Sequence, residues 1–488
     1  MEPKAIRGLP WAFVGYVGNR AITVATTVVL ARLLVPTDFG LVALALAILA
    51  IPNNLSEIGL GSTLVARQDL DRHQQGTIFT LLLGLGAVLA LLTAAFATLA
   101  AVIFSETRLT PVLVALSATI LITGFTWFYE SLMARELEFR RRFFSELSRT
   151  LTYSTTALVL AALGAGVWSL VIGQLVGFGV YAVALLLLAP YRVSPAYSRA
   201  AATDVLDTGR GFFVQGWVSF LSETVHYLAV GRAFGAAQLA YYSMAFRLSE
   251  LPSFAIAEPV AKVTFPGFAR MRHAGQEVAP SYLTTLGLVA LIACPLGVLL
   301  SASAAPFVAL VLGTKWLGAI GPLSVLGIWA AVRPVHVTMG WLLNSLGFAR
   351  VVGATAAIML APLLVGLVLA GIFGSITTVS WVMLGDLLLG TVILAVLAQR
   401  RAGILPGQHW QALRAILIGC VGAWPAARVV ADSLSGQAAI VGLATSTAVG
   451  LAVYVVVVSL VEPGILRVAA GRIRSALRRP SEAAAAPS

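Results

Sequence analysis

Between residues 10 and 461 the chain is a succession of apolar runs separated by short polar joints. A bilayer's hydrocarbon core takes about 20 helical residues to cross, so runs of that length predict membrane-spanning helices. They fall near 10–32, 39–60, 77–104, 110–134, 146–164, 167–189, 211–231, 238–265, 281–302, 318–345, 350–373, 376–399, 411–431 and 437–461. The expected fold class is therefore an all-α integral membrane protein with about fourteen transmembrane helices. Hydrophobic residues make up 59% of the 488 and charged residues 11%, which excludes a soluble domain of ordinary composition.

The net charge of +12 would suggest nucleic acid in a soluble protein. Here the basic residues gather in alternate joints, which is a topology signal, and nucleic acid is not an expected partner. One set of joints carries Arg67 and Arg72, then Arg135 to Arg149, then Arg192, Arg199 and Arg210, then Arg270 and Arg272, then Arg350, then Arg400, Arg401 and Arg414. The opposite set holds Arg32, Arg108, Arg232, Lys315 and Arg428. By the positive-inside rule the first set and both termini are cytoplasmic. Cys294 and Cys420 lie inside apolar runs with no partner at ligand spacing, so neither a disulfide framework nor a metal site is expected. No signal in the sequence asks for a cofactor.

A weak internal echo aligns ARLLVPTDFGLVA at 31–43 with GRAFGAAQLAYYS at 231–243. It predicts two pseudo-symmetric six-helix lobes, parallel repeats over 1–200 and 201–405, with two additional helices in 406–465. The remaining 466–488 reads as a basic cytoplasmic tail on the anionic inner leaflet, which makes membrane lipids a partner.

Arg20, Arg247 and Arg333 sit near the centres of predicted spans. A charge there costs about 2.5–3.5 kcal/mol on insertion scales and survives only facing protein, water or a counter-charge. Polar residues extend these points into stripes at helical spacing: Tyr16, Arg20, Thr23 and Thr27; Gln215, Ser219, Ser222 or Glu223, and His226; Ser243, Arg247, Glu250, Glu258 and Lys262; Trp329, Arg333, His336, Gly340 and Asn344. Four such helices could wall a water-filled cavity. Arg20, Arg247, Arg333, Gln215, His336 and Asn344 are then the candidates for holding substrate, because the guanidinium fork matches phosphate oxygens in pairs. For a single residue the plainer alternative is a structural ion pair such as Arg247 with Glu250. Trp127, Tyr129, Trp217, Tyr227, Trp329 and Trp341 could stack on sugars or form an interfacial belt.

Glu223, Glu250, Glu258 and Asp386, with His226, are candidates either for coupling transport to a proton or sodium ion or for neutralising the arginines. Pro252 and Pro259 interrupt the eighth predicted span and predict a kink.

The chain resembles the Wzx-type polysaccharide flippases, in the superfamily that includes the MATE drug exporters and the lipid II flippase. The resemblance covers about residues 10–400 and is carried by ARLLVPTDFGLVALA at 31–45, EIGLGSTLVARQDL at 57–70, LMARELEFR at 132–140, GVWSLVIGQL at 166–175, YYSMAFRLSELP at 241–252 and VLGTKWLGAIGPL at 311–323. It is nearest to the colanic-acid-exporter-like branch. It implies two six-helix lobes around a central cavity in the bacterial cytoplasmic membrane. Alternating access would carry a polyprenyl-diphosphate-linked oligosaccharide from the inner to the outer leaflet, for exopolysaccharide or lipopolysaccharide synthesis. A polysaccharide polymerase and assembly proteins are the implied protein partners. The sequence departs from the family pattern at His226, where an Asp is usual.

Three other readings compete. A MATE-like drug or cation exporter would favour an acidic cavity. A membrane enzyme of the same pathway, a polymerase or glycosyltransferase, would be expected to show a sizeable extramembrane loop and a catalytic cluster; Asp204 and Asp207 read more simply as helix-start residues. A scaffold for the assembly machinery would not require buried arginines. The sequence thus favours a transporter over an enzyme.

Overall fold

The computed structural model describes residues 3–464, apart from 58–59, 68–69 and 406; the side chains of 3–17, 56–57, 62, 66, 206–216, 219 and 262–263 lie outside that description. The candidates Gln215, Tyr16, Ser219 and Lys262 and the 466–488 tail therefore fall outside it. The helices are α1 Pro3–Leu33, α2 Pro36–Glu57, α3 Leu60–Ala66, α4 Arg72–Ile103, α5 Leu109–Arg135, α6 Phe139–Ala162, α7 Val167–Leu188, α8 Arg199–Ser249, α9 Glu258–His273, α10 Ala279–Ala302, α11 Ala304–Val311, α12 Ile320–Ser345, α13 Ala349–Phe373, α14 Ile376–Ala402, α15 Gln408–Ser433 and α16 Ala439–Val461. Among the described residues there is no strand. Among the described residues, ten helical stretches are long and apolar enough to cross a membrane.

Local sequence explains where the helices start and break. Asp71 caps α4 by accepting the Gln74 amide at 2.6 Å, while Gln74 accepts the Asp71 amide at 3.0 Å. That reciprocal pair satisfies two orphan donors at the helix start. Gly235 interrupts α8 at φ 77° and ψ 178°, a conformation open to glycine alone, so α8 is two helical arms kinked between the expected spans 211–231 and 238–265. After α8, Pro252 leads into a π turn over Ser253–Ala257 before α9. The wider turn shifts the angular register, so Glu258 does not continue the face of Arg247. The single stripe expected from Ser243 to Lys262 is thereby split.

The chain divides into two compact units. The first comprises Met1–Met244, Val311–Gly318 and Ala356–Val379; the second comprises Ala245–Leu310, Ala319–Thr355 and Ser380–Ser488. In the first, α4 packs on α5, α6 on α7 and α1 on α6. Its core includes Ile78, Leu82, Phe128, Leu132 and Leu185, all buried. The two segments of the internal echo meet here: a Cβ on Gly40 would overlap the Ala236 carbonyl oxygen. Trp316, in the short 311–318 insertion, is fully buried and donates its Nε1 hydrogen to the Ala31 carbonyl at 2.8 Å, with Phe39 edge-on at 5.3 Å.

In the second unit, α10 packs on α12 and α15, and α15 on α16. The α10–α12 crossing is made of small residues: a Cβ on Gly297 would lie 2.7 Å from the Gly327 oxygen and 2.8 Å from Ala331 Cα. Without a hydrophobic driving force between helices in lipid, such close backbone approach is what holds them. Gly297→Leu should destabilise the protein by about 1–3 kcal/mol through overpacking, read as an earlier melt of the purified protein; Gly267→Leu, in open space, should not. Tyr454 donates to the Leu291 carbonyl at 2.9 Å, and Trp424 to Ser301 Oγ at 3.0 Å, fixing α15 and α16 to α10.

Candidate functional site

In the second unit an arginine rests on an aromatic platform. Trp329 is buried on α12, and the Arg333 guanidinium carbon lies 5.3 Å from its ring centre. The spacing of four residues brings the two side chains over one another on a single helix face. Phe246, at the end of α8, packs against the other side of this patch with its ring 5.0 Å from Trp329. Its neighbour Arg247 is exposed and forms no hydrogen bond or ion pair with any described residue. The ion pair with Glu250 considered from spacing is therefore not formed. Arg333 and Arg247 thus belong to neighbouring segments of the second unit, the first over the Trp329 ring and the second exposed next in sequence to Phe246.

His336 lies one turn after Arg333, and its Nδ1 is 3.1 Å from Thr391 Oγ1 on α14. That hydroxyl already donates to the Leu387 carbonyl at 2.6 Å. Nδ1 must therefore carry the hydrogen, which leaves Nε2 of a neutral ring as an acceptor. The close approach depends on Gly390, whose Cβ would lie 3.2 Å from His336 Cε1. Asp386 precedes Thr391 on α14 and lies within the electrostatic reach of Arg333; its Oδ1 is buried without a hydrogen-bond partner. Asn344 likewise has a buried, unpartnered Oδ1 near the end of α12. Glu250 and Glu258 are half-buried on either side of the π turn.

The first unit holds the remaining candidates. Arg20 is half-buried on α1. The hydroxyls of Thr23 and Thr27 bond back to carbonyls of their own helix at 2.8 Å, so this part of the expected stripe is satisfied internally. His226 is fully buried, with Nδ1 3.0 Å from Tyr242 Oη and its ring 4.2 Å from that of Tyr227. It is a core residue bonded to a tyrosine, not a solvent-facing ion ligand. Glu223, three residues earlier, is exposed.

Two features of the first unit were not foreseen. Glu130 on α5 accepts the Tyr181 hydroxyl of α7. Arg149, grouped by sequence with a basic joint, lies inside α6 against Phe178 and Tyr181, each ring centre 5.3 Å away. The available signal was the spacing of Arg142, Glu146 and Arg149, which share a helix face. Among the described residues no group of His, Cys, Asp and Glu could hold a metal ion.

This architecture is that of multi-pass helical membrane transporters. It matches the solved lipid II flippase MurJ in an inward closed conformation with a TM-score of 0.76 at 14% identity, over 93% of this chain and 99% of that one. An inward-facing multidrug resistance MATE family transporter matches with a TM-score of 0.63 at 16% identity, over 82% of this chain and 98% of that one. At these identities the likeness concerns fold. Residues 29–321 match the family described as polysaccharide biosynthesis protein, and the chain belongs to that family. Among its relatives, the lipopolysaccharide biosynthesis protein WzxC of Escherichia coli (strain K12) is 25% identical over 349 residues, 70% of each chain.

Proposed function

We propose that this protein is a flippase that carries a polyprenyl-diphosphate-linked oligosaccharide from the inner to the outer leaflet of a bacterial cytoplasmic membrane, with both termini in the cytoplasm. The observation that carries the reading is that the second unit holds Arg333 over the Trp329 ring and an exposed Arg247 next in sequence to Phe246, whose ring lies 5.0 Å from that of Trp329. A guanidinium donates paired hydrogen bonds that match phosphate oxygens, and two arginines suit a diphosphate. His336 Nε2 and the Asn344 carbonyl oxygen are acceptors suited to sugar hydroxyls. Family membership and the flippase and transporter architecture support the same reading. The arginine-rich site argues against a cation exporter, which would need carboxylates there.

Asp386, Glu250 and Glu258, with Glu223 in the first unit, supply the charges for coupling to an ion gradient. One elementary charge moved through the whole field is worth about 2.3 kcal/mol per 100 mV, enough to bias a two-state equilibrium roughly fiftyfold. In proteoliposomes with a fluorescent lipid-linked sugar, flipping should accelerate on imposing a potential or a proton or sodium gradient, and Asp386→Asn should weaken that response. Equal rates with and without every gradient would make transport passive. No flipping by the purified protein at all would overturn the proposed function.

A further inference from the structure

Arg149, in the first unit, sits in a setting unlike a surface joint or an ion pair. Its guanidinium is clamped against the rings of Phe178 and Tyr181, its Nε is shielded from solvent, and it forms no hydrogen bond or ion pair with any described residue. The clamp is built by close packing of α6 on α7. A Cβ on Gly177 would lie 3.2 Å from Tyr153 Cβ and 3.3 Å from the Arg149 carbonyl oxygen, so glycine there favours the close approach of the two helices.

The neighbouring carboxylates do not occupy this cation. Glu130 accepts the Tyr181 hydroxyl and forms no ion pair with Arg149. Glu146, on the same α6 face, is not ion-paired to Arg149. Rings meet a guanidinium on its faces, whereas its N–H bonds lie in its plane. The clamp therefore orients the fork and leaves its edge donors unused. An orphaned amide lies on a helix packed against α6. Asn19 of α1 is buried, and neither side-chain atom has a hydrogen-bond partner. It shares an α1 face with Thr26, whose hydroxyl donates to Ser154 of α6 at 2.8 Å.

We infer that Arg149, held between Phe178 and Tyr181, is a binding residue for the phosphate of a lipid headgroup within the first unit. A planar, permanently charged fork with its edge free matches two oxygens of one phosphate, and the rings that hold it belong to α7, a helix long and apolar enough to cross a membrane. The inference rests on the proposed flippase activity only for its choice of cargo-like probe. The same chemistry is offered by a polyprenyl phosphate, as carrier of the cargo, and by a bulk phospholipid such as phosphatidylglycerol.

The test is lipid occupancy of the purified full-length protein by native mass spectrometry, titrating a polyprenyl phosphate and phosphatidylglycerol separately. Arg149→Gln should lower occupancy by one or both lipids about tenfold, Arg149→Lys less, because it keeps the charge without the fork. Phe178→Leu leaves the cation but removes one face of the clamp, and should also lower occupancy, which keeps the test decisive if Arg149→Gln fails to fold. Loss confined to the polyprenyl phosphate identifies the carrier as the ligand; loss confined to phosphatidylglycerol identifies a membrane-lipid site. Occupancy of both lipids unchanged in Arg149→Gln and Phe178→Leu would overturn the inference and leave the flippase proposal untouched. Conversely, a wild-type protein that flips no lipid-linked sugar, yet binds phosphatidylglycerol through Arg149, would sink the flippase proposal alone.

Discussion

Arg247→Ala and Arg333→Ala should each reduce flipping of a lipid-linked sugar by roughly ten- to a hundredfold. A hydrogen bond to a charged group is worth about 1.5–3 kcal/mol, and each 1.4 kcal/mol is a factor of ten in affinity. Lysine at either site should restore part of the activity, since it returns the charge but not the paired donors. The two variants should differ in stability. Arg333 loses its contact with Trp329, worth about 0.5–2 kcal/mol, whereas Arg247 is exposed and unpaired and its removal should leave the melt unchanged. Flipping assays alongside thermal unfolding of the same preparations check both statements. Wild-type rates in both alanine variants would show that a diphosphate is not held here.

Trp316→Ala should produce the largest stability loss of any single tryptophan substitution outside the arginine site, about 3–5 kcal/mol. The side chain is fully buried, meets Phe39 and Tyr241 edge-on, and covers the Ala31 carbonyl with its only donor. Trp316→Phe should recover most of the packing and still leave that carbonyl unpaired, a residual cost of about 1–3 kcal/mol. Trp381→Ala is the control, because Trp381 is 55% exposed and its loss opens no cavity. The readout is thermal unfolding of purified protein. Equal melting of Trp316→Ala and Trp381→Ala would show that the 311–318 insertion contributes nothing to holding the first unit together.

The membrane-spanning character of the chain was legible before any coordinates, because bilayer thickness and the cost of burying charge act on composition run by run. For the same reason Arg20, Arg247 and Arg333 stood out, each a charge inside an apolar run. Pro252 marked the break after α8 through backbone chemistry that is local to the residue, whereas the kink at Gly235 fell in a joint to which the sequence reading assigned no break of its own. Other features depend on neighbours distant in sequence. Periodicity could not distinguish His226, bonded in the core to Tyr242, from a residue facing water, since both leave the same polar mark on a helix face. Nor could it separate Arg149, clamped by α7, from the basic joint that precedes it.

From the sequence alone came the helical class, the membrane as solvent and the presence of cations inside apolar runs, all consequences of single segments meeting lipid. Only the tertiary structure decided which cation rests on which ring and which hydroxyls are consumed by their own helix. It also decided where glycines let backbones touch. Those outcomes depend on pairs of side chains from separate helices coming within a few ångströms, a distance that no run of residues encodes by itself.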